Sequence, residues 1–213
     1  MEKEIFVARK PAEQSVNRLD ILLAAANVFR RKGYHGAKMS DIAAEVDLTA
    51  GSLYHHFPDG KQQILIEVLN EGLDQITAEV QAVVDDNTLM PDEKLRKIIY
   101  TNILGLTHNT SVAAALVFET RTILENPEAR KAYLKRRDSF EQLYTQVIQE
   151  GIDAGIFRQV DVPIFTKTIL GAHNWVGVWY REGGRLTGEQ IADEMSNTFL
   201  AALSPIGVPA AKN

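Results

Sequence analysis

Residues 39–61, MSDIAAEVDLTAGSLYHHFPDGK, leave few ways to fold. Ile42, Ala43 and Val46 recur at helical spacing, so a short helix from Met39 to Val46 buries one face. Asp47-Leu48-Thr49 breaks that pattern, and Thr49 is a good N-cap for a second short helix. On this second helix Leu53 and Phe57 lie one turn apart and point inward. Ala50, Gly51, Ser52, Tyr54 and His55 are left largely on the outer side, and Lys61 opens a third helix. An outer face of small residues, a hydroxyl, a phenol and an imidazole suits close approach to a DNA groove and its phosphates.

The 213 residues suffice for one domain or for a small domain joined to a larger one, with a sizeable core. An apolar content of 45% and a charged content of 24% belong to an ordinary globular chain rather than a disordered one. No apolar run reaches the length of about 18 residues needed to cross a membrane. The opening MEKEIFVARK lacks the apolar stretch of a secretory leader, so a cytoplasmic protein is expected. Absence of cysteine removes disulfides, thiolate zinc sites and cysteine nucleophiles together. The net charge of −5 is unevenly spread: residues 1–61 hold nine lysines and arginines against eight acids, and residues 62–213 hold fourteen against twenty. So mild an asymmetry predicts weak non-specific DNA affinity, and specific binding then needs two copies of the head.

Residues 1–15 have little periodicity and read as a mobile arm, whose Arg9 and Lys10 either touch a DNA backbone or stay solvated. Val16 to Lys32 reads as an amphipathic helix with Leu19, Leu22, Leu23, Ala26 and Phe29 on one face. Gly33 closes it. Arg30, Arg31 and Lys32 either complement the helix dipole there or meet DNA. A long helix follows from Lys61 to about Asp85, with Ile64, Leu65, Val68, Leu69, Leu73, Ile76 and Val80 inward. Further helices are predicted over 91–108, 111–124, about 126–154, 162–182 and 187–203. The VAAALVF run in 111–124 is apolar on all sides, which marks a central, buried helix. With no alternating strand pattern, the chain reads as all-α with about nine helices: arm 1–15, head 16–61, body 62–213. Its five histidines lack metal-ligand spacing, and no GxSxG elbow, P-loop or dinucleotide fingerprint occurs. No enzyme, metal or cofactor is therefore expected.

The string Gly51-Ser52-Leu53-Tyr54-His55-His56-Phe57, with Leu19 to Gly33 and Asp41-Ile42-Ala43 before it and Lys61 after it, resembles the DNA-binding domain of TetR-type transcriptional regulators. The likeness covers about the first third of the chain. It implies a helix-turn-helix that contacts DNA through Lys38, Ser40, Thr49, Ala50, Gly51, Ser52, Tyr54, His55 and Lys61, the last fixing a phosphate. Tyr54 has an alternative role packing on the following helix, and His56 is expected to support the junction at Phe57. Two positions depart from the family pattern. Asp47 stands where glycine is common, and aspartate tolerates the left-handed conformation better than most residues. Lys38 stands where a Ser/Thr cap often precedes the first short helix. Both leave the operator sequence open.

The resemblance also implies a body that senses a ligand and holds a dimer. In the family the last two long helices usually form a four-helix interface, for which Ile191, Met195, Phe199 and Leu203 supply an apolar stripe; packing within one subunit is the alternative. The segment Asn174 to Gly184, NWVGVWYREGG, looks like one from the branch that controls fatty-acid or sterol breakdown and responds to acyl-CoA thioesters. Such an effector needs an apolar tunnel and cations at its mouth. Tunnel candidates are Val112 to Phe118, Tyr144, Val147, Ile148 and Trp175. Phosphate candidates are Arg121, Arg130 and the run Lys135-Arg136-Arg137, where a solvated face is the alternative. His173 and Asn174 are pocket groups or satisfied polar groups of the core. The expected protein is a homodimeric repressor on palindromic operator DNA, released by a small hydrophobic ligand, an acyl-CoA foremost. A multidrug-type sensor and a ligand-independent DNA-binding structural factor are the rivals.

Overall fold

The computed structural model describes residues 16–118 and 127–205, the side chains of 116–118 excepted. The arm with Arg9 and Lys10, the Arg121 side chain and the Phe118 side chain lie outside the described residues. Nine α-helices occur among those described: α1 Arg18–Gly36, α2 Met39–Glu45, α3 Ala50–His56, α4 Lys61–Val84, α5 Pro91–His108, α6 Thr110–Phe118, α7 Pro127–Asp153, α8 Val162–Trp179 and α9 Gly188–Leu203.

Local chemistry sets the boundaries in the head. Asn17 and Asp20 form a reciprocal cap at the start of α1: the Asp20 N–H donates to Asn17 Oδ1 at 2.9 Å, and the Asn17 N–H to Asp20 Oδ2 at 3.3 Å. Helical geometry is interrupted at Gly33, where φ is 69°. Asp47 has φ 53° and is the non-glycine residue of positive φ among those described, as the turn between α2 and α3 demands. Thr49 caps α3 through its hydroxyl, which accepts the Ser52 N–H at 3.1 Å.

One apolar cluster runs from the head into the body. Ile42, Leu53 and Phe57 of the head are fully buried together with Ile64 and Leu65 of α4. Each such side chain contributes about 1.5–3 kcal/mol relative to exposure. In the body α5 is central and packs on α4, α7, α8 and α9. The buried Lys94 ammonium donates to the Val84 carbonyl at 2.6 Å, satisfying an orphan at the C-terminal end of α4. Helix α6 lies against α1, α4 and α8. Its approach depends on glycine, because a methyl group at Gly177 would sit 2.8 Å from Ala113 Cβ, and one at Gly72 would sit 2.7 Å from Val112 Cγ1.

One expectation from periodicity is corrected. Leu19 and Leu23 do not join the core; they are 48% and 42% exposed, while Ile21, Ala25 and Val28 carry the buried face of α1. The α9 stripe faces inward on α5: Ile191 and Leu203 are buried and Met195 and Phe199 half-buried within one subunit. Met195 and Phe199 keep part of their surface open beside that packing.

Candidate nucleic-acid interface and cavity

The outer face of α2 and α3 carries most of the residues singled out for DNA. Lys38, Ser40, Thr49, Gly51, Tyr54 and His55 are exposed, and Ala50 and Ser52 half-buried, while Leu53 and Phe57 turn inward. The Ser52 and Thr49 hydroxyls lie 2.9 Å apart, so the cap also orients Ser52. Tyr54 packs over Gly60 at the start of α4, where an added methyl would meet its ring at 3.2 Å, and half of the side chain stays exposed on the outer face.

The cations are less free than their sequence positions imply. Lys61 Nζ donates to the Tyr34 carbonyl at 2.6 Å and to the Ala37 carbonyl at 2.8 Å, and sits 4.4 Å above the Tyr34 ring. Two of its three N–H groups thus brace the loop after α1, and the phosphate role has one left. Arg30 donates to Ser111 Oγ at 2.8 Å on α6, Arg31 pairs with Glu45, and Lys32 pairs with Asp41 at 2.8 Å. All three hold the head together or to the body. The hydrogen bond from Lys32, followed by that from the Lys38 N–H, keeps the Asp41 carboxyl below the usual aspartate range. Arg18 was not singled out by the sequence. It forks onto Glu67 at 2.6 and 2.7 Å, donates to the His56 carbonyl at 2.8 Å and stacks 4.1 Å from the Phe57 ring centre, joining α1, α3 and α4.

A cavity of about 460 Å³ lies where the head meets the body. Leu19, Leu22 and Leu23 of α1 form one wall, Val68, Gly72 and Ile76 of α4 the next, and Tyr133, Phe140 and Leu170 of α7 and α8 the far side. The exposure of Leu19 and Leu23 follows from this. Charged groups on the lining are Glu71, Glu79, Glu141, Arg137 and Lys167, and Lys167 pairs with Glu141 and Arg137 with Asp138. A separate open groove of about 670 Å³ on the adjoining side of α7 is lined by Arg130, Lys131 and Lys135 with Asp138.

Of the residues read as ligand contacts, Val112, Ala113, Arg137 and Asn174 line the cavity. Tyr144 and His173 are buried behind it, joined through Asn102, whose Nδ2 lies 3.0 Å from Tyr144 Oη and 3.1 Å from His173 Nδ1. Burial pushes the His173 pKa down to about 3 and raises that of Tyr144, so both are neutral at pH 7. Val147 and Ile148 are in the core, away from the cavity lining, and Trp175 is 58% exposed on the outside of α8. These three do not line the tunnel expected of them: an unbroken apolar segment does not reveal which of its faces is covered. Asn102, a buried polar residue on a mainly apolar helix, was missed; that mismatch was the available signal. No group of three or more His, Cys, Asp or Glu positioned for a metal occurs among the described residues. No described helix is long and apolar enough to cross a membrane.

Residues 21–68 match the family of bacterial regulatory proteins of the tetR type, and residues 88–203 match the tetracyclin repressor-like C-terminal domain. The HTH-type transcriptional repressor KstR2 of Mycobacterium tuberculosis is 29% identical over 203 residues, covering 94% of this chain and 99% of KstR2. The fatty acid metabolism regulator protein of Bacillus subtilis is 26% identical over 165 residues, covering 74% of this chain and 82% of that protein. The crystal structure of AibR in complex with isovaleryl coenzyme A and operator DNA superposes with a TM-score of 0.75 at 31% identity, covering 84% of this chain and 95% of AibR.

Proposed function

Because this chain belongs to the TetR family of bacterial regulators, we propose that it is a homodimeric transcriptional repressor displaced from its operator when an acyl-CoA fills the cavity. The observation that carries this reading is the composition of the cavity wall. Its apolar surface is shared between α1, which belongs to the head, α4, which follows directly from it, and the body helices. A ligand that fills it contacts head and body at once, and favours whichever head position gives it the better contacts. The volume lies within the range of about 300–1,000 Å³ usual for small-molecule sites. Similarity to regulators of lipid metabolism and to a protein crystallised with an acyl-CoA supports the choice of effector.

Two heads would read successive major grooves, about 34–36 Å apart or a multiple of that, on a palindromic site. For the dimer contact, Ile164, Trp175 and Trp179 form an exposed apolar stripe on α8, which joins the half-buried Met195 and Phe199 of α9 as the candidate surface. The rim has three carboxylates and two cations, so it carries no net positive charge for a diphosphate. The coenzyme phosphates would instead meet Arg130, Lys131 and Lys135 in the groove alongside. The same acidic rim favours one rival, a neutral or cationic hydrophobic effector.

A DNA fragment selected from a random pool by the purified protein, labelled and followed by fluorescence anisotropy, separates these readings. Micromolar fatty acyl-CoA releases the fragment and free coenzyme A does not. Release by hydrophobic cations alone supports the rival, and no release by either supports a ligand-independent DNA-binding factor.

A further inference from the structure

We infer that Asn102 is the polar anchor of the cavity, presenting its amide NH₂ to a carbonyl oxygen on an otherwise apolar effector. The inference rests on the effector-binding reading above and names the chemistry of that site. Asn102 is buried on α5 and lines the cavity. One end of its amide faces Tyr144 Oη and His173 Nδ1, at 3.0 and 3.1 Å. The other end has no hydrogen-bond partner among the described residues and is not among the sealed, unpartnered side-chain atoms, so it is open to the cavity.

Which end is nitrogen follows from the neighbours, since the two ends are nearly the same size and only the network tells them apart. If nitrogen faces inward, it donates to Tyr144 Oη and to His173 Nδ1. His173 must then carry its proton on Nε2, which is buried without a partner, with the rings of Tyr144 and Phe199 centred 6.0 and 6.1 Å from the imidazole. If the amide is turned by half a turn, its oxygen accepts from the Tyr144 hydroxyl and from a proton on His173 Nδ1. Nε2 is then a bare lone pair. A buried N–H without an acceptor is rarer and costlier than an under-used acceptor, so the turned amide is favoured. It exchanges the longer bond from Tyr144 Oη to the Ile98 carbonyl, 3.3 Å, for one to Asn102. The depressed His173 pKa keeps the imidazole neutral, with one N–H and one lone pair to place. The turned amide offers the cavity two donors, and a thioester or ketone oxygen is the group that satisfies them.

Two measurements on the full-length dimer-forming protein test this. Nitrogen-15 NMR of histidine-labelled protein without any ligand, with His173 assigned by its loss in His173→Gln, is expected to show a proton on Nδ1; a proton on Nε2 overturns the inference whatever the effector proves to be. Calorimetry then compares an acyl-CoA thioester with its S-alkyl thioether, and a long-chain methyl ketone with the matching alkane. Wild-type protein is expected to favour each carbonyl ligand by about tenfold. Asn102→Leu is expected to bind both members of a pair alike, with thioether affinity retained, and Tyr144→Phe to lose part of the preference. Equal binding of each pair by wild type, or an undiminished preference in Asn102→Leu, overturns the anchor. If both coenzyme A compounds fail while the ketone preference stands, the anchor holds and the acyl-CoA reading falls.

Discussion

Lys61 shows how one residue's partners redirect the reading of its role. Its ammonium holds two carbonyls at the end of α1, so it stabilises the head before any DNA arrives. Hydrogen bonds to a charged group are worth about 1.5–3 kcal/mol each, so loss of the two in Lys61→Met should lower Tm by roughly 10 °C in calorimetry; an unchanged Tm would mean that the brace carries no load. His173 gives a second single-residue signature. Its folded pKa of about 3 lies below the ordinary 6.5. Between those values the unfolded chain takes up a proton that the folded chain refuses, so stability falls as pH drops through this window and is unaffected above it. The slope is up to about 1.4 kcal/mol per pH unit, and His173→Gln should flatten urea-unfolding curves against pH by one proton. Thr49, Leu53 and Phe57 were legible in the sequence because caps and helical spacing are local. The Arg18–Glu67 fork was not, since nothing local marks which of many surface charges will meet across 49 positions.

At the scale of elements, periodicity located the helices well and their neighbours poorly. The spacing of Ile191, Met195, Phe199 and Leu203 shows that α9 has a covered face; it does not say whether the cover is α5 or a second subunit. Within one subunit α5 covers Ile191 and Leu203, Met195 and Phe199 stay half-buried, and further open apolar surface is on α8 at Ile164, Trp175 and Trp179. Trp175→Glu should therefore halve the mass seen by sedimentation without lowering helix content. A dimer of unchanged strength would move the interface elsewhere. The close crossing of α6 and α8 is likewise invisible in a pattern of apolar residues, because it depends on an absent side chain. Gly177→Val forces bulk into a gap where even a methyl lies 2.8 Å from Ala113 Cβ. Overpacking of this kind costs about 1–3 kcal/mol, readable as a lower midpoint in urea.

For the whole molecule the main consequence is that head and body share a wall. Leu22 and Leu23 belong to the segment that matches the DNA-binding family, yet they face the cavity with the α7 and α8 side chains. Arg30 reaches Ser111 of α6 from the other end of the same helix. On the proposed reading a ligand in this cavity would need no distant relay, because the wall it fills includes the first helix of the reader. Binding of DNA and binding of effector then draw on one equilibrium between head positions, and each must weaken the other by the same factor. Calorimetric titration of an acyl-CoA into the free protein and into its complex with the selected DNA fragment measures that factor directly. The account predicts that DNA lowers effector affinity as many-fold as effector lowers DNA affinity, at least about tenfold. Equal effector affinity with and without DNA would contradict it.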